Sequence, residues 1–267
     1  MTRRRRVVIT QRQQLIRAAQ EVRVDADDMN RAKILGQIAY YLSLHREIGR
    51  KVAYKGGAVL KMIEGSPRFS RDLDGVAVTA KPVQLDWILE ALTTEAASRV
   101  VVQRPTIINS SDRSLSFPVV ECRAIAGRSP ISVKLNINWR EPLLLPPELL
   151  QVEVFGVGDA ELPIVHRRER AAEKVRAFLE RADSNDAFDL HFFASILRLP
   201  DWAALPGLVR RKLELAGHNM EGNFREEFEA MVEVARAGWP GELIIGGGPP
   251  TWETVEPGVR RFSVTLP

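Results

Sequence analysis

Residues 67–78 read PRFSRDLDGVAV, a polar loop that runs into an apolar strand with two aspartates at its mouth. On a strand, residues two apart share a face, with Cα atoms about 6.5 Å apart. Asp72 and Asp74 therefore present both carboxylates to one side, while Leu73 and Gly75 face the other. Two close like charges are costly unless a cation neutralises them or one takes a proton. A magnesium ion meets that need with oxygen ligands and keeps positions open for phosphate. The alternative is a turn with both carboxylates solvated, and an Asp-x-Asp pair alone does not separate the two.

Just upstream, Val52-Ala53-Tyr54 runs through Lys55 into Gly56-Gly57 and then Ala58-Val59-Leu60. That is a short strand, a glycine turn and a short helix. The free backbone N–H groups at such a helix start bind anions, phosphate above all, and glycine lets the ligand approach the backbone closely. Glycine pairs also occur at plain tight corners. Glycines for phosphates beside carboxylates for a metal together describe a site for a nucleoside triphosphate.

Working outward, residues 10–24 and 30–48 show the 3.6-residue apolar period of helices, and residues 83–98 a third such stretch. The period then changes. Residues 100–102, 106–108, 115–124 and 131–139 are β-branched or alternating and read as strands, with 151–157 as one more. Beyond Pro163 the pattern is helical at 166–182, 186–198, 206–215 and 221–236, until residues 246–250 (GGGPP) break it. The tail is expected to carry a short strand at 261–265. The expected fold is α/β (α+β): a mixed-sheet domain over residues 1–158, N-terminal helices included, then a mostly helical domain over 159–267 with a C-terminal tail.

Composition narrows the function. No apolar run is long enough to span a bilayer, so membrane insertion is not expected. Cys122 is the single cysteine, which excludes an intrachain disulfide and a cysteine-based zinc site and suits a reducing cytoplasm. The net charge of +4 permits a polyanionic partner without requiring one. Its basic residues cluster at 3–6, at Arg167, Arg168, Arg170 and Arg176, and at Arg210, Arg211 and Lys212.

The segment Lys55-Gly56-Gly57-Ala58-Val59-Leu60, followed by Arg68-Phe69-Ser70-Arg71-Asp72-Leu73-Asp74, resembles the first motif of the AbiEii/AbiGii-type nucleotidyltransferase toxins. Residues 131–137 (ISVKLNI) are similar to that family's lysine-containing strand. Residues 170–177 (RAAEKVRA) are similar to its A-x-E-K helix, and residues 185–190 (NDAFDL) to its R-D-x-x-D-L segment. The motifs come in the family's order and span about residues 50–195. The resemblance implies a nucleotidyltransferase-like sheet in the first half and a toxin paired with a winged-helix antitoxin from a neighbouring gene. It implies a Mg²⁺-dependent, cytoplasmic enzyme that moves a nucleotide from an NTP, CTP or GTP first, to an acceptor hydroxyl, with the tRNA 3′ end as first choice.

The resemblance also assigns residues. Asp72 and Asp74 hold the metal and are catalytic, together with Lys174, Asp186 and Asp189. Lys55, Gly56, Gly57, Ser70 and Lys134 contact the nucleotide, and Ser70 is a possible phosphorylation site. Read as residues alone, Lys174 is more simply a lysine snorkelling from a helix flank, Asp186 can be a helix-cap neighbour, Ser70 a turn cap and Lys134 a surface strand residue. Ala58 stands where the family has Thr or Ser. Gly75 replaces a large apolar residue, which is expected to loosen the strand. Asn136 occupies the place of a third carboxylate, and an amide cannot take a proton from the acceptor. Two rivals follow: transfer of a nucleotide or phosphate to a protein hydroxyl, and a non-catalytic toxin that binds GTP or RNA.

Overall fold

The computed structural model describes residues 6–7, 26–79, 81, 83–94, 106–108, 119–126, 129–154 and 157–267. The helix expected at 10–24 and the strand at 100–102 lie outside them. The chain forms two units, one running to Val165 and including Ile245–Gly247, the other comprising His166–Ile244 and Gly248–Pro267. The division thus falls after Val165 and not at 158, because the segment 158–164 is a strand of the first unit's sheet.

That sheet has eight strands among the described residues: β1 (Arg6–Val7), β2 (Val52–Lys55), β3 (Asp72–Ala77), β4 (Thr106–Ile108), β5 (Val119–Ala126), β6 (Ser129–Asn138), β7 (Glu148–Val154) and β8 (Gly158–Ile164). The spatial order is β1-β7-β8-β2-β3-β6-β5-β4. It is mixed: β3 runs antiparallel to β2 and parallel to β6, and β2 runs parallel to β8. The sequence pattern missed β8, whose GDAELPI carries glycine, two acids and a proline, all poor strand formers. Its inward residues Ala160, Leu162 and Ile164 are nevertheless buried at the strand period of two.

Among the described residues this unit has the helices α1 (Ala26–Leu44), α2 (Gly56–Glu64) and α3 (Leu85–Thr93). Ile34, Leu35, Ile38 and Leu42 of α1 and Ile88 and Leu92 of α3 share one core with Val52, Tyr54, Leu73, Ala77, Val133, Leu135 and Ile137 of the central strands. Burying each such side chain contributes about 1.5–3 kcal/mol. Alternation then dictates where the polar residues go. With Leu73 and Ala77 on the helix-packed face, Asp72, Asp74 and Val76 lie on the opposite one, where Ala53, Val76 and Val165 form a smaller apolar cluster. Gly75 does not loosen the strand: it is buried, and a Cβ there would come within 2.7 Å of Val52 Cγ1.

The second unit is helical: α4 (Arg167–Arg181), α5 (Ser184–Ile196), α6 (Leu199–Leu215), α7 (Phe224–Gly238) and α8 (Trp252–Arg260), followed by a 3₁₀ turn at Arg261–Thr265. The His166 ring caps α4 by accepting from Arg168 N–H at 3.2 Å. Ala182 ends that helix in left-handed backbone (φ 50°), and the Asp183 carboxylate opens α5 by accepting from Asn185 N–H at 2.7 Å. Helix α6 starts seven residues before the expected 206, since Pro200 is tolerated in its first turn. The expected strand at 261–265 is absent. Phe262 is fully buried and Val264 is 67% exposed, whereas a strand would send both to one face. Trp252, Val255, Val259 and Phe262 instead bury one helical stripe. Among the described residues, no helix is long and apolar enough to cross a membrane.

Candidate functional site

Strand β2 passes directly into α2 at Gly56, whose φ of 78° is a backbone conformation that side chains rarely adopt. The first turn of α2 contains no acidic residue, and Lys55 at its N-cap provides no side-chain cap. The register of the sheet aligns this turn with the carboxylates. Lys55 and Asn136 are the cross-strand partners of Asp74 on either side, and Lys134 is that of Asp72. Cross-strand partners share a face. A row Lys55–Asp74–Asn136 therefore crosses three strands, with Asp72 and Lys134 one step along.

Asp74 is seated against the glycine turn, since a Cβ on Gly56 would overlap its Oδ2. The Asn136 amide donates to Asp74 Oδ1 at 3.0 Å. Asp72 is half-buried, and burial together with the neighbouring Asp74 charge pushes its carboxyl above the usual range; Lys134, Arg31 and Arg71 pull in the other direction without overcoming this. The Ser70 hydroxyl donates to the Asp72 carbonyl at 3.1 Å and accepts from the Asp72 N–H at 3.5 Å, the geometry of a turn cap.

These donors fit a divalent ion that prefers oxygen. The two carboxylates share a face, and the charge burden on Asp72 is one a bound cation removes. No group of three or more His, Cys, Asp or Glu side chains suited to a metal occurs among the described residues. A two-carboxylate site that leaves the remaining positions to water and phosphate suits magnesium in particular.

The residues picked out in the helical unit meet each other differently. Lys174 of α4 pairs with Asp186 Oδ1 at 2.7 Å and Asp189 Oδ2 at 2.8 Å, both on α5 and both fully buried. Arg181 Nε reaches Asp186 Oδ2 at 2.5 Å. Burial alone would raise the Asp186 pKa, but Lys174 and Arg181 outweigh it and hold the carboxyl at about 2. One helix face away, Lys212 of α6 is 1% exposed and bonds Glu169 at 2.8 Å and Glu173 at 2.9 Å. Several arginines of the basic segments, which permit a polyanionic partner without requiring one, pair within the unit: Arg168 with Asp201, Arg176 with Glu180, Arg210 and Arg211 with Glu214.

The structure thus gathers the sequence-selected residues into two groups: Lys55, Gly56, Gly57, Ser70, Asp72, Asp74 and Lys134 about the β2–α2 turn, and Lys174, Asp186 and Asp189 between α4 and α5. Sequence reading gave no role to Arg68, Arg31 or Lys212. Arg68 had a signal, its place at the head of the aspartate segment. Arg31 showed only its local pair with Asp28, and Lys212 only its place in a basic cluster, since the charges they meet at Asp72 and at Glu169 and Glu173 are distant in the chain.

The family model for the nucleotidyl transferase AbiEii toxin of type IV toxin–antitoxin systems matches residues 44–243. Among solved structures the chain is similar to MenT4, a nucleotidyltransferase toxin of Mycobacterium tuberculosis H37Rv, at 22% identity over 94% of this chain and 88% of that one, with a TM-score of 0.64. It is also similar to JHP933 of Helicobacter pylori, at 18% identity over 90% and 92% of the two chains, with a TM-score of 0.58. At these identities the likeness speaks for the fold. None of the curated proteins matches.

Proposed function

Because the chain belongs to the AbiEii nucleotidyl transferase toxin family of type IV toxin–antitoxin systems, we propose that it transfers a nucleotide from an NTP, CTP or GTP first, to the 3′ end of tRNA. The observation that carries this reading is the placement of Asp72 and Asp74 on one face of β3, with Asp74 against the Gly56 turn. Asp72 and Asp74 hold Mg²⁺. The ion, when bound, supplies charge neutralisation to the phosphates and alignment for in-line displacement at the α-phosphorus.

The chain's own groups do the rest. Backbone N–H groups at the start of α2 donate to phosphate oxygens, and the helix dipole adds to their pull. Lys55 and Lys134 flank the carboxylates as further cations for the triphosphate. The resemblance assigns Lys174 of the helical unit a catalytic part as a point charge. Asp186 and Asp189 act by fixing Lys174; with its pKa held at about 2, Asp186 is too weak a base to take the acceptor's proton. The new bond joins the acceptor oxygen to the α-phosphorus, the α–β phosphoanhydride bond breaks to release pyrophosphate, and the acceptor's proton passes to solvent water. Such transfers depend on positioning and charge more than on proton abstraction, so Asn136 in place of a carboxylate is compatible with turnover. The enzyme acts in the cytoplasm, where its nucleotide and tRNA are found, and a winged-helix antitoxin restrains it.

The test is to incubate the purified protein with Mg²⁺, bulk tRNA and each α-³²P-labelled NTP in turn, with Asp72→Asn as control. Label on tRNA that vanishes in the control supports the proposal and identifies the donor. Label on protein replaces it with transfer to a protein hydroxyl. A second reading rests on Asn136, which donates to Asp74 and has no site for a proton. Nucleotide binding without transfer to either acceptor would establish that reading, a toxin that only binds.

A further inference from the structure

We infer that Arg68 is a positioning residue for the nucleotide turn, and that Gly57 is glycine to make room for it. This rests on the reading of that turn as the triphosphate site. Arg68 is 6% exposed, unusual for an arginine on a loop. Its guanidinium lies where a side chain at position 57 would go: a Cβ on Gly57 would overlap Nη2 and stand 2.8 Å from Cζ. Gly57, unlike Gly56, is not among the glycines with positive φ, so its backbone alone would accept alanine. What position 57 lacks is space, and Arg68 fills it.

The loop is held from several sides. Arg68 N–H donates to Ser66 Oγ at 3.3 Å, its Nη1 to the Phe69 carbonyl at 3.4 Å, and its backbone bridges to Ile245. Gly56 seats Asp74 and Gly57 seats Arg68, so each glycine fits one side chain of the same aspartate segment. The glycine pair couples the phosphate turn to the carboxylate strand.

A thermodynamic cycle tests this, with wild type, Gly57→Ala, Arg68→Ala, the double variant and Arg68→Lys melted with and without Mg²⁺ plus GTP or CTP. Without nucleotide, Gly57→Ala is expected to lower Tm in the wild type and raise it in the Arg68→Ala background, where the clash is gone and alanine is the better helix former. With nucleotide, Gly57→Ala, Arg68→Ala and Arg68→Lys each weaken apparent affinity about 10-fold or more, equivalent to about 1.4 kcal/mol. The double variant is no weaker than Arg68→Ala alone. A full further loss from Gly57→Ala in the Arg68→Ala background would overturn the inference, because the glycine would then serve the phosphates directly. So would unchanged affinity in both Arg68 variants. If Arg68→Ala does not fold, Gly57→Ala and Arg68→Lys still decide. A wild type whose Tm neither nucleotide moves would defeat the nucleotide reading, and the cycle without nucleotide would still decide the packing of Arg68 on Gly57.

Discussion

Two pairs of aspartates in this protein have opposite electrostatic fates. In the sheet unit, Asp72 and Asp74 stand half-buried on one strand face, and burial plus mutual repulsion raises the Asp72 pKa. In the helical unit, Asp186 and Asp189 are fully buried, yet Lys174 and Arg181 bring the Asp186 pKa down to about 2. The first pair carries a charge that an incoming cation would relieve. The second has already received its cation from a neighbouring helix. Equal residue types thus divide into a pair with a raised carboxyl and a pair already matched by cations of the chain.

The sharpest way to break this contrast is Asp72→Asn. Nucleotide transfer should fall by about 10²–10⁴-fold, since metal-held charge is worth several kcal/mol in such transition states. Tm without metal should hold or rise, because the substitution removes repulsion. Radiolabel transfer and thermal unfolding on the same preparation check both, and a large drop in Tm would show the pair to be structural.

Next in size is Asp186→Asn, which leaves Lys174 and Arg181 facing a neutral amide in a buried place. It should cost about 3 kcal/mol in denaturant unfolding. The pH dependence gives the same contrast independently. A carboxyl whose folded pKa is depressed contributes stability that is fully present above its unfolded value near 4 and is lost as pH falls toward about 2. Wild type should therefore lose about 2 kcal/mol across that window, and Asp186→Asn should lack that part of the slope.

A smaller effect probes the first pair directly. Mg²⁺ alone, well above its dissociation constant, should stabilise wild type by about 1–3 kcal/mol and leave Asp72→Asn and Asp74→Asn unmoved. An equal rise in all three would place the ion elsewhere. Smallest is Ala182→Gly, at the left-handed residue between α4 and α5. It should stabilise by up to about 1 kcal/mol in calorimetry without loss of transfer, as glycine pays no Cβ penalty there.

Much of the architecture could be read along the chain because its signals are local. The 3.6-residue stripes gave α1 and α4, and the Asp-x-Asp alternation placed both carboxylates on one strand face. Local reading failed where tertiary burial overrode composition. Strand β8 forms from poor strand residues because β7 and β2 pair with it on both sides. Residues 261–265 alternate like a strand, but the buried stripe of Trp252, Val255 and Val259 carries the chain on as a helix into a 3₁₀ turn. Gly75 looked like a weak point and is instead a close contact beneath Val52.

By itself, then, the sequence determined the mixed sheet followed by helices, the glycine turn and the candidate carboxylates, since each depends on residues a few positions apart. Only the tertiary structure decided what each charge faces. Asn136 reaches Asp74 across 62 positions and Lys212 reaches Glu173 across 39. Ion pairs and hydrogen bonds act over a few ångströms of space, whatever the distance along the chain. Folding therefore settled which carboxylates are already matched by a cation of the chain.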